Sequence, residues 1–176
     1  MFKTIALVAV AAVGALLAYA ATRPDTFSVQ RSLAINAPPA KLFPLINDLR
    51  QFSAWNPYEK KDPAIRVSYR GAASGPGAGY DFEGNKEVGK GSIDIVDAAA
   101  PAKVTMQLTM IEPFEGRNTV EFSLAPQGQA TNVTWAMHGP SPFMAKLVGV
   151  FMNMDQMIGR DFEAGLANLK TLAERG

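Results

Sequence analysis

Two spacings divide the chain. From Ile65 to His138 apolar residues recur at every second position, whereas the flanking segments repeat every three or four. Alternation is clearest in VTMQLTMI, with Val104, Met106, Leu108 and Met110 on one face and Thr105, Gln107 and Thr109 on the other. NVTWAM repeats the scheme with Val133, Trp135 and Met137. The turn-forming stretches SGPGAG, EGNKEVGKG, DAAAPA, EPFEG and APQGQ interrupt the pattern. Connections this short join antiparallel neighbours, which predicts a meander of about six strands. Residues 26–36, TFSVQRSLAIN, add an earlier strand through Phe27, Val29, Leu33 and Ile35, for about seven in all.

The flanks read as helical. Pro38 and Pro39 suit a helix start, and Leu42, Phe43, Leu45, Ile46 and Leu49 form an apolar stripe. Pro44 lies beyond the first turn and predicts a kink or two short helices, ended by Trp55-Asn56-Pro57. At the other end, Phe151, Met154, Ile158, Phe162, Leu166 and Leu169 mark a long helix from Pro142 to about Ala173. Asp155, Arg160, Glu163 and Lys170 fall on its water-facing side. Its first part, PFMAKLVGVFMNM, is apolar nearly all round, more than a helix lying on a sheet requires. One apolar sheet face covered by helices makes an α+β domain.

Ahead of it, IALVAVAAVGALLAYAA (residues 5–21) carries no charge, follows Lys3 and precedes Thr22, Arg23 and Pro24. Its length is at the short end of a bilayer-spanning helix, and Ala18-Tyr19-Ala20 also fits a signal-peptide cleavage site. The stretch exceeds a usual signal core and Tyr19 suits the interface, so an uncleaved membrane anchor is expected. Lys3 would stay cytoplasmic and the domain would lie on the periplasmic or extracellular side, or be secreted after cleavage. The chain then divides into an anchor or signal segment (1–21), a short linker (22–25) and one domain (26–176).

Composition narrows the function. The 176 residues hold 17 basic and 16 acidic side chains, and the segment 1–21 contains only Lys3 among them, leaving the domain uncharged overall. No excess of cations is present to bind nucleic acid. There are no cysteines and one histidine, His138, so thiolate and multi-histidine metal sites are excluded and no cofactor is implied. GPGAGY does not match a dinucleotide-binding GxGxxG, and no GxSxG occurs. Asp81 and Glu83 share a strand face opposite Tyr80 and Phe82, Glu121 alternates with Val120 and Phe122, and His138 points opposite to Trp135 and Met137. Glu83, Glu121 and His138 are the weak catalytic candidates, each placed on the solvent face unless its strand bends.

The stretches INAPPAKLFPLINDLRQFSAWNPYEKKDP (35–63), YDFEGNKEVGKG (80–91), TWAMHGP (134–140) and MDQMIGRDFEAGLANLK (154–170) resemble the SRPBCC superfamily, START-like or Bet v 1-like. The similarity is to its polyketide cyclase/dehydrase and lipid transport branch and spans residues 26–174. It implies a helix-grip fold: a curved antiparallel sheet wrapped around a long C-terminal helix, with two short helices after the first strand. The space between sheet and helix would be an apolar cavity for a hydrophobic small molecule such as a lipid, isoprenoid or polyketide-like compound. Trp55 and Tyr58 would wall or lid its mouth, or Trp55 would plug the junction of the short helices with the sheet. Phe82, Met106, Phe122, Trp135, Met154 and Met157 would line it, the adaptable methionines suiting an irregular apolar guest. Relatives that act as cyclases use a few polar groups inside the cavity, and here Tyr58 would join the three candidates above. Other relatives are co-chaperones that grip a protein. The scarcity of polar groups favours binding over turnover.

Overall fold

The alternating region folds as its period requires. In a computed structural model that describes residues 2–175, seven strands form one open antiparallel sheet. They are β1 (Thr26–Ile35), β2 (Arg66–Gly71), β3 (Ala78–Glu83), β4 (Lys90–Ala99), β5 (Lys103–Glu112), β6 (Gly116–Gln127) and β7 (Ala130–Pro140). Their order is β1-β7-β6-β5-β4-β3-β2: a meander from β2 to β7, with β1 laid along β7 from Thr26↔Pro140 to Ile35↔Thr131. Val104, Met106, Val120, Phe122, Leu124, Val133 and Trp135 are buried on the inner face, as period two demands. The domain is an α+β helix-grip fold.

Six helices accompany the sheet: α1 (Phe2–Ala21), α2 (Pro39–Asn47), α3 (Leu49–Trp55), α4 (Pro57–Lys61), α5 (Phe143–Phe151) and α6 (Met154–Glu174). Pro44 sits inside α2 without ending it; the chain turns at Asp48, whose carboxylate caps α3 by accepting from the Arg50 N–H at 2.9 Å. The helical region also outlasts Trp55, because the Asn56 side chain accepts from the Tyr58 N–H at 3.0 Å and opens α4. Three short helices therefore follow β1 where two were expected.

The long C-terminal helix is likewise broken. Met152 N–H closes on the Val148 carbonyl, and Asn153 caps a new helix by accepting from the Gln156 N–H at 3.0 Å. Of the two pieces α6 grips the sheet, mainly over β1, and it does so with its later turns: Phe162, Leu166, Leu169 and Ala173 are buried. None of the nine residues of α5 is buried, and α5 touches the end of α1 instead. The helix α1 is long and apolar enough to cross a bilayer.

Candidate functional site

The seam between sheet and α6 is built from aromatic rings. Trp135 on β7 stacks on Phe162 of α6 with ring centroids 4.3 Å apart and planes 11° apart. Phe122 on β6 approaches Trp135 to 4.9 Å, and α3 inserts Phe52 and Trp55, the latter edge-on to Trp135 at 5.7 Å. Such pairs add about 0.5–1.5 kcal/mol each beyond the area they bury. The helix comes this close because residue 165 is glycine: a Cβ there would stand 2.5 Å from Trp135 Cζ3 and 3.1 Å from Pro57 Cδ. The expected hollow around Trp55, Phe122 and Trp135 is thus filled by rings in the described conformation. Those rings come from an α3 packed inward and an α6 pressed down at a glycine.

Trp55 occupies the junction between short helices and sheet. It is 1% exposed, its Nε1 donates to the Leu45 carbonyl at 2.8 Å, and its own carbonyl accepts from Asn168 Nδ2 at 3.0 Å. Met106 is buried on the same inner face. Phe82 belongs to a different aromatic row, packed on Tyr80 at 6.0 Å, with Tyr69 beyond. One polar atom in the seam stands out. The indole Nε1 of Trp135 is buried and has no hydrogen-bond partner among the described residues. Leaving such a donor dry and unpaired costs about 1–3 kcal/mol.

Met154 and Met157 lie outside the seam, exposed on the first turns of α6. The cause is Arg31, which falls in phase with Val29 and Leu33 on the inner face of the edge strand β1. Its guanidinium lies against Gly159, where even a Cβ would collide with it, and bonds Asp155 (3.0 Å) and Glu163 (2.8 Å) on either side. This contact holds Asp155 below the usual carboxylate range. A charged wedge therefore carries the start of α6 across the sheet edge, where no apolar surface covers its methionines. The signal was legible in sequence as an in-phase arginine facing a glycine flanked four residues away by two acids.

Next to this elbow is an open hollow of about 350 Å³ lined by Met152, Asn153, Gln156, Met157, Arg160 and Asp161. Tyr58 reaches the same neighbourhood: Asp161 pairs with Lys61 at 2.6 Å, and the Lys61 ammonium lies 5.4 Å from the Tyr58 ring centroid. Burial, then the Asp161 charge, pushes the Tyr58 hydroxyl pKa well above that of a free tyrosine. A second hollow of about 310 Å³ opens at the β2–β3 edge among Arg50, Tyr69, Arg70 and the backbone of residues 71–73.

The catalytic candidates face away from the seam. Glu83 pairs with Arg66 at 2.7 Å and with Lys90 at 3.5 Å on the outer face, Glu121 pairs with Lys103, and His138 is exposed. Strand alternation accounts for all three, since each neighbours a buried inner-face residue.

The sequence profile described as polyketide cyclase/dehydrase and lipid transport matches residues 26–174. The chain belongs to this family. No curated protein matches the sequence. Among solved structures, protein MLL2253 from Mesorhizobium loti is similar over 85% of this chain and 98% of its own, with 14% identity and a TM-score of 0.62. Ara h 8.0201 aligns over 86% of this chain and 99% of its own at 12% identity and a TM-score of 0.58. The Aha1 dimer from Colwellia psychrerythraea aligns over 85% and 98% at 18% identity and a TM-score of 0.56. At these identities the likeness speaks for the fold. The family description points to hydrophobic ligand binding, without naming a ligand.

Proposed function

We propose that this family member binds a hydrophobic small molecule in the seam beneath α6, and that α1 tethers it to the membrane that supplies the ligand. The observation that carries the reading is the unpartnered Trp135 N–H. It is a lone donor in an apolar interior, placed to receive the single oxygen of an otherwise greasy molecule such as a lipid, isoprenoid or polyketide-like compound. Trp55, Met106 and Phe122 form the surrounding apolar wall, Phe82 stands apart in the Tyr80 row, and Tyr58, Met154 and Met157 stand at the entrance.

Entry requires the first turns of α6 to lift. Those turns are held by the Arg31 ion pairs, whose acidic partners are largely exposed, and exposed pairs contribute little. Displacing the aromatic packing is the cost, and ligand burial offsets it. Covering roughly 300 Å² of ligand at about 25 cal/mol per Å² yields about 7 kcal/mol before ordering losses.

In a Trp55→Phe background Trp135 is the only tryptophan, since the chain has two. Adding a brominated fatty acid or brominated isoprenoid alcohol to the full chain in detergent should quench its emission saturably, and lipid extracted from the purified protein should contain a stoichiometric apolar species. Emission indifferent to both probes, together with an empty extract, would overturn the reading.

A further inference from the structure

The structure assigns a second role to the bare apolar surface at the α5–α6 elbow: it docks flat onto the bilayer that receives α1, an inference that rests on the tether reading above. The helix α5, FMAKLVGVF, is apolar except for Lys146, yet none of its residues is buried. Phe143, Met144 and Phe151 project from it, and Met152, Met154 and Met157 continue the exposed patch onto α6. A helix this apolar, half-buried at residues 146–150 and exposed at Phe143, Met144 and Phe151, has lipid as the natural neighbour of its exposed side.

The occupant follows from what α5 touches. The last turns of α1 pack on it, with Ala20 wholly buried and Leu16 half-buried, while residues 3–15 are exposed. Lys146 further ties α5 to the segment leaving α1 by an ion pair to Asp25 at 2.5 Å. Wherever α1 enters a membrane, α5 is therefore held at its surface.

Strand register brings one more element to the same end of the sheet. Thr26 lies opposite Pro140 and Thr119 opposite His138, so the β5–β6 turn sits beside the β7–α5 junction. That turn carries Phe114, 68% exposed, with Ile111 half-exposed behind it. Charge does not drive the contact. The linker, the strand turns and α5 at this end carry equal numbers of each sign: Arg23, Lys86, Arg117 and Lys146 against Asp25, Glu87, Glu112 and Glu115. The docking is thus one of apolar insertion, indifferent to anionic lipid and weakly sensitive to salt. It would turn the hollow at Met152 and Met157 toward the acyl chains.

Because the chain has no cysteine, single labels report position cleanly. The full chain is placed in phosphatidylcholine nanodiscs with a spin label at Leu7→Cys, Phe114→Cys, Met144→Cys, Phe151→Cys or, as a water reference, Val96→Cys. All five side chains are exposed, so folding is undisturbed. Labels at 114, 144 and 151 should relax more with oxygen than with a water-soluble nickel chelate, as the label at 7 does, and the ratio should invert at 96. Elbow and Phe114 labels as water-accessible as the one at 96, with the label at 7 in lipid, would overturn this inference and leave the tether standing; a surface kept for a protein partner would behave so. A label at 7 in water would overturn the tether itself.

Discussion

Gly159 and Gly165 both lie where α6 meets the sheet, and alanine at each should have opposite consequences. Alanine in a helix interior is favoured over glycine by about 1 kcal/mol, so each substitution begins with that gain. At 165 the new Cβ meets Trp135 Cζ3 at 2.5 Å, on a ring stacked against Phe162 and flanked by Phe122 and Trp55. Overpacking costs about 1–3 kcal/mol, and against a ring held on three sides the upper part of that range, about 2–3 kcal/mol, applies, so Gly165→Ala should destabilise by about 1–2 kcal/mol net. At 159 the obstacle is the end of the Arg31 side chain, which can swing out. It would give up ion pairs to two acids whose side chains are each 60% exposed, and solvent-screened pairs of this kind contribute little. Gly159→Ala should therefore be neutral or slightly stabilising. Urea unfolding of the full chain in detergent, followed by tryptophan emission, reads the difference. With m of about 2 kcal/mol per molar urea, the 165 variant should lose about 0.5–1.5 M in midpoint relative to the 159 variant. Equal midpoints, or a gain at 165, would mean that the seam has slack and that rings do not fill it.

Further predictions follow from the same packing. Phe162→Ala, removing the partner stacked on Trp135, should cost about 3–5 kcal/mol, whereas Met157→Ala on the exposed elbow should stay within about 0.5 kcal/mol in the same unfolding assay. Thr131, buried, donates to the Ala37 carbonyl at 2.7 Å and pins the start of α2 to β7; Thr131→Val should cost about 1–2 kcal/mol by leaving that carbonyl unpaired. Arg31 bonds the charged form of Asp155 and holds it below the usual carboxylate range, and Lys146 does the same for Asp25. The folded chain then binds fewer protons than the unfolded one in acid. Their contribution is complete above about pH 5 and disappears as pH falls through the depressed values, so unfolding midpoints between about pH 5 and pH 2 should slope less in Asp155→Asn. An unchanged slope would remove Arg31 from its clamping role.

Much of the architecture was legible in residue order. The period-two stretches give the strands with their inner faces, and the uncharged run at residues 5–21 corresponds to α1. Helix ends were less legible because they depend on single caps. Asp48, Asn56 and Asn153 each stop or start a helix through one side-chain bond, which apolar spacing does not register. The lining of the seam was the least legible. Met154 and Phe162 have the same chemistry in a helical stripe, yet one is bare and the other buried. Their fates part at Arg31, a residue more than a hundred positions away.

What residue order determined by itself was local: which segments are strands or helices, which face of each is apolar, and that residues 26–174 match the polyketide cyclase/dehydrase and lipid transport family. These properties repeat within a few residues and need no distant partner to be recognised. Only the tertiary structure decided that the rings of α3, β6, β7 and α6 close on one another, leave one indole donor unpaired, and bring α5 bare against α1. Side-chain burial depends on how closely two elements approach, and here a glycine and a buried-face arginine, each facing a remote segment, set that distance.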